Sequence, residues 1–114
     1  LVLKGRDCNL HLNMATTPLR DLQLGADDAD VYLKVGELEP QVKVTVTALD
    51  TKLRFRLPQS SGLLVTGVDD PAYLEEIGLV KGDGGYVNEN YAGASTRVEI
   101  ALNERFRSLS IDFF

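Results

Sequence analysis

Residues 21–35 read DLQLGADDADVYLKV, and the parsing of this stretch decides the fold. Leu22 and Leu24 alternate with polar neighbours, as on a strand with one buried face. Gly25-Ala26-Asp27-Asp28 interrupts as a tight corner, and Val31, Leu33 and Val35 resume the alternation. The unit is strand, corner, strand. Moving outward, the same figure recurs on both sides. Leu1, Leu3, Gly5, Leu10 and Leu12 stand 21 positions before Leu22, Leu24, Ala26, Val31 and Leu33. Val44, Val46, Ala48, Leu53 and Phe55 stand 22 positions after them.

Two short alternating segments per period cannot bury their apolar face alone, so copies of this length stack on one another. The spacing predicts an all-β fold, a right-handed β-solenoid of layers of about 21–22 residues with one irregular loop. The competing architecture is an antiparallel β-sandwich, whose hairpins also recur at short intervals. Pro18, Pro40 and Pro58 fall near the ends of copies, where layer-to-layer corners are expected. Within the corners, Gly5 and Gly25 allow a positive φ, and Asp7, Asp27, Asp28 and Asp50 can hydrogen-bond the local backbone.

A chain of 114 residues is read as one domain: repeat layers over 1–67, an irregular loop over 68–96 and closing strands over 97–114. In the loop, Asp70 is the expected N-cap of a helical turn, with Pro71 at its first position and Gly78 at its end. Leu74 and Ile77 would pin that turn to the sheet.

Composition excludes several function classes. With a net charge of −5, nucleic acid is excluded as a partner, because phosphate binding rests on grouped Lys and Arg. Cys8 is the only cysteine, which rules out an intrachain disulfide and a cysteine-based zinc site. His11 is the only histidine and sits between two inward leucines, so its side chain faces out. There is no nucleophile, base and acid at recognisable spacing and no phosphate-cradling glycine loop, so the chain is read as no enzyme, with no cofactor. Asp27, Asp28 and Asp30 have the oxygens that calcium favours, but without a glycine-rich nonapeptide the cluster is read as a hydrated corner, and no metal is expected.

The irregular loop carries three of the four tyrosines. Tyr supplies rigid, half-polar contact area, so Tyr73, Tyr86 and Tyr91, with Asp83 and Asn88, form the candidate interaction surface. The acids of this loop also leave open a carbohydrate-binding or polysaccharide-active solenoid, which would need a carboxylate pair in a groove.

Several of these pieces together resemble a family. They are Gly25-Ala26-Asp27-Asp28, Leu57-Pro58, Gly62-Leu63-Leu64-Val65, Gly84-Gly85-Tyr86-Val87-Asn88-Glu89-Asn90-Tyr91 and Arg97-Val98-Glu99-Ile100. They look like the toast-rack and LiaF-like C-terminal domains of bacterial envelope-associated proteins, over nearly the whole chain. The sequence departs from that pattern at Asp27, where the family has a second glycine, and at Arg105-Phe106-Arg107-Ser108, where it has Gly-Val-Gly-Ser. The resemblance implies a non-enzymatic interaction or regulatory module of a bacterial cell-envelope protein, linked to envelope stress signalling, and brings no catalytic residues with it. Its implied partners are a protein or a second copy meeting the ends of the stack. Membrane association would come only through an upstream segment, expected because the chain opens at Leu1 inside a strand with no Met.

Overall fold

The computed structural model describes residues 2–14, 20–36, 40–68, 72–82, 84–89, 91–102 and 106–114. The protein is mostly strand with almost no helix. Two strands come from each copy of the repeated figure: β1 (Val2–Arg6) and β2 (Asn9–Met14), β3 (Asp21–Asp27) and β4 (Asp30–Val35), β5 (Gln41–Leu49) and β6 (Lys52–Leu57). β7 (Gly62–Thr66) follows. Next come a short helix α1 (Ala72–Glu76), the small strands β8 (Val80–Lys81) and β9 (Tyr86–Val87), and a 3-10 turn η1 (Tyr91–Gly93). β10 (Arg97–Leu102) and β11 (Ser108–Phe113) end the chain.

The first strand of each copy enters one sheet and the second enters another. Sheet 1 runs β1-β3-β5-β10-β7-β9-β8, and sheet 2 runs β11-β6-β4-β2. Pairing between copies is parallel, with Leu3 beside Leu24 and Leu24 beside Val46, offsets of 21 and 22 residues. In sheet 2, Leu12, Leu33, Phe55 and Ile111 form one row across four strands. Antiparallel pairs are confined, among the described residues, to β7–β9 and β8–β9. The alternation is what makes this possible: β5 and β6 bury every second side chain, and these fill the space between the sheets. Leu22, Leu33, Val44, Leu57, Leu63, Leu74 and Val98 have no exposed surface.

Chain order is not stacking order. β10 lies between β5 and β7, with Ile100 beside both Val44 and Val65. The chain therefore leaves one strand position empty after β6, builds β7 beyond it, and returns through β10 to fill the gap. Leu63-Leu64-Val65 on β7 therefore stands one strand away from β5, with β10 between them.

At the corners, positive φ belongs to Asp7 (49°), Asp28 (49°) and Asp50 (48°), and neither Gly5 nor Gly25 has it. Asp tolerates the left-handed region because its short carboxylate bonds locally. Gly5 instead leaves room for side chains: a Cβ there would lie 2.8 Å from the Cys8 sulfur, which would have to shift. At the helix, Gly78 (φ 96°) ends α1, with Gly78 N–H donating to Glu75 C=O (3.1 Å) and Leu79 N–H to Leu74 C=O (2.9 Å). That double bond is a Schellman stop, and its apolar pair, Leu74 and Leu79, is buried. The expected N-cap, Asp70, and Pro71 lie outside the described residues, as do Leu1 and Pro18.

Candidate functional site

The two ends of the stack are unlike. At the end where β11 is the edge of sheet 2, the segment from α1 to Leu79 lies over the core. Tyr73 accepts a hydrogen bond on its hydroxyl from Ile111 N–H (2.9 Å), and Leu74 and Leu79 are buried. At the other end, β1 and β2 are the edge strands of their sheets, and neither contains a fully buried residue. Leu3, Cys8, Leu10, Leu12 and Met14 pack on the core from one side only and stay half-exposed. The edge amides there have a fixed direction. Asp30 N–H donates to Cys8 C=O, so ladder alternation turns Leu10 N–H toward β4 and Asn9 and His11 N–H toward the open edge.

The predicted surface residues have distinct neighbours. Tyr73 belongs to the covered end. Tyr86 pairs with Val65 and Lys81 inside sheet 1. Tyr91 lies on η1, packed where a Cβ on Gly62 would come within 2.7 Å of its backbone, and its ring lies under the Arg97 guanidinium at 5.4 Å. Asn88 clamps the start of β7: its Oδ1 accepts from Leu63 N–H (3.0 Å) and its Nδ2 donates to Ser61 C=O (3.0 Å). Asp83 lies outside the described residues.

The corner aspartates line a cleft of about 560 Å³ together with Cys8, Asn9, Asp30, Lys52 and Arg107. The Asp7 carboxyl, donating a hydrogen bond to the Asp28 carboxylate, has its pKa raised above the ordinary value, with desolvation and the charges of Asp28 and Asp27 adding to the effect. Arg107 reaches Asp28 at 3.8 Å, and Arg6 reaches Asp27 at 3.7 Å. Among the described residues no group of three His, Cys, Asp or Glu is placed to hold a metal ion. A second groove, of about 570 Å³, runs over the outer face of sheet 1 between Pro40 and Tyr91 and is floored by Gln41, Lys43, Arg97 and Glu99.

A further feature escaped the sequence reading. The outward positions of sheet 2 bring His11, Tyr32 and Arg54 into one row and Asn13, Lys34 and Arg56 into the next. His11 stacks on Tyr32 at 4.5 Å, consistent with its outward orientation, and the Arg54 guanidinium lies 5.3 Å from the Tyr32 ring centre. The available signal was Lys52-Leu53-Arg54-Phe55-Arg56, whose period of two puts three cations on one face. Compared with known protein families, curated proteins and solved structures, the chain matches none.

Proposed function

We propose that this chain is a right-handed β-solenoid serving as a non-enzymatic interaction module of a bacterial cell-envelope protein, in the manner of the toast-rack and LiaF-like domains, with a role in envelope stress signalling. Support for the solenoid comes from parallel pairing at offsets of 21 and 22, since a hairpin meander pairs antiparallel. Right-handedness follows the general preference of parallel crossovers. The single observation behind the interaction role is the asymmetry of the ends: α1 covers one, and among the described residues β1 and β2 leave half-exposed leucines and edge amides turned outward at the other. Such an edge is a template for another chain.

The test is made on the protein in its own bacterium. Fractionation should place it with the envelope, and deletion should change the response of the cells to wall-active antibiotics. A cytosolic protein whose loss leaves that response unchanged refutes the proposal.

A second reading, carbohydrate binding, is favoured by the groove beside Tyr91, where an aromatic wall meets the amide and charged groups of Gln41, Lys43, Arg97 and Glu99. Titration with cell-wall oligosaccharides while following the Tyr91 and Arg97 resonances decides it, and unmoved resonances remove this reading.

A further inference from the structure

Sheet 2 presents its outer face through β2, β4, β6 and β11, and the side chains there are segregated by charge. Lys52, Arg54 and Arg56 are exposed on β6, and Lys34 stands beside Arg56 on β4. Alternate residues of a strand stand ~6.6 Å apart and neighbouring strands ~4.8 Å apart, so the four cations occupy one flat patch. The carboxylates on this face are Asp30, beside Lys52 at its corner, and Asp112, beside Arg56, on a chain whose net charge is −5.

The ion pairs of the described residues include Arg6–Asp27 and Arg107–Asp28, and none engages Lys34, Lys52, Arg54 or Arg56. Aromatic rings hold three of the four instead. Lys34 Nζ lies 4.7 Å and Arg56 Cζ 5.4 Å from the Phe114 ring centre, and Arg54 lies over Tyr32. A ring orders a cation without neutralising it, so the charges stay available and the side chains are already held in place. Phe114 itself is 40% exposed between its two cations.

We propose that the outer face of sheet 2 is a docking surface for an anionic phospholipid bilayer. A flat array of unpaired cations matches a plane of lipid phosphates, and the half-exposed rings of Tyr32 and Phe114 have the amphipathic character that suits the headgroup level. The proposal rests on the envelope reading above, but makes the membrane contact a property of this domain rather than of an upstream segment.

The test is sedimentation with vesicles of phosphatidylglycerol mixed into phosphatidylcholine, compared with phosphatidylcholine alone. Binding should need the anionic lipid and should fall on raising NaCl from about 0.1 M to about 1 M, which shortens the Debye length from about 10 Å to about 3 Å. Each surface cation removed should lower the partition coefficient about fivefold, so R54Q with R56Q should lower it about 25-fold. K34Q with K52Q is the second variant, should the first fail to fold by circular dichroism. K4Q with R6Q, on the other sheet, removes the same charge and should leave binding within about twofold. Absence of binding to anionic vesicles, equal binding to phosphatidylcholine, or equal losses in the sheet 1 control would overturn the proposal. Tighter binding to soluble polygalacturonate than to vesicles at equal charge would assign the face to a polymer and overturn it equally. None of these outcomes depends on where the protein fractionates, so the docking surface and the envelope role fail separately.

Discussion

Truncating Leu33 and Leu12 to alanine, one at a time, measures whether the stack has an open end. The two leucines are neighbours in the same row, with identical chemistry and different surroundings. Leu33 is fully buried, with Leu12 on one side and Phe55 on the other. Leu12 has Leu33 on one side and the open edge on the other, and is half-exposed. Removing three carbons from an enclosed site loses their transfer free energy and leaves a cavity, a combined cost of about 2–5 kcal/mol. At Leu12 the vacated space is continuous with solvent, so the cavity contribution vanishes and about half the transfer free energy remains, roughly 1 kcal/mol. With a urea m-value of about 1.5 kcal/mol/M, Leu33→Ala should lower the midpoint by about 2 M and Leu12→Ala by less than about 1 M. Equilibrium urea unfolding, followed by circular dichroism at low protein concentration, reads both. Equal costs would mean that the β1/β2 end is covered in solution, and a Leu33 cost below about 1 kcal/mol would remove the row from the core.

Further substitutions probe the corners and the covered end. Because the folded-state pKa of Asp7 is raised, its contribution favours folding below the ordinary value of 3.8 and is lost as pH rises through the raised value. Asp7→Asn, which keeps a residue tolerant of positive φ, should therefore flatten the acid side of the stability profile and raise the melting temperature at neutral pH relative to the parent; an unchanged profile would break the Asp7–Asp28 link. Tyr73→Phe deprives Ile111 N–H of its acceptor and should cost about 1–3 kcal/mol, with faster hydrogen exchange at Ile111; unaltered exchange would show that α1 does not seal this end. Gly67→Ala places a Cβ 1.7 Å from Leu102 C=O at a φ of 84°, so it should destabilise by more than about 2 kcal/mol in the same urea assay, and a silent substitution would deny the β7–β10 junction.

The rows were legible because burial in a strand repeats every second residue. Leu24 and Val46, or Val31 and Leu53, could be placed side by side by counting alone. What counting could not reach was the position of β10. Its offsets, 56 residues to β5 and 35 to β7, are not multiples of the period, and consecutive elements are usually neighbours, whereas β10 is a late strand inserted between two earlier ones. Which corner residue takes positive φ was open for a different reason. Gly and Asp both suit a corner, and the choice among Gly25, Asp27 and Asp28 depends on which carbonyl the next copy offers: Asp28 N–H meets Leu49 C=O. The cationic face required two registers at once, since Lys34, Arg56 and Phe114 are remote in sequence and meet only when β4, β6 and the residue after β11 are aligned. The tyrosines clustered in sequence because the excursion between β7 and β10 carries them, yet Tyr73 and Tyr91 serve different sheets.

The detour through β7 explains why the ends differ. A stack that simply added one layer after another would finish with two open faces, each able to accept a further copy, and such a head-to-tail contact does not close. Here β7 can pair with β10 only after the chain has returned from the excursion that carries α1, so the same 35-residue interval that completes sheet 1 also delivers Tyr73, Leu74 and Leu79 over the core beside β11. Growth at that end is blocked by side chains already buried. The edge strands are β1 and β8 in sheet 1 and β11 and β2 in sheet 2; Tyr73 already takes the Ile111 N–H on β11 and β8 is only two residues long, so among the described residues β1 and β2 present the longer edges without such a cover. Lys4 and Arg6 on β1 add like charges where identical strands would meet face to face, which disfavours β1 against its own copy and leaves the uncharged outward side of β2, with Asn9 and His11, as the better partner for it.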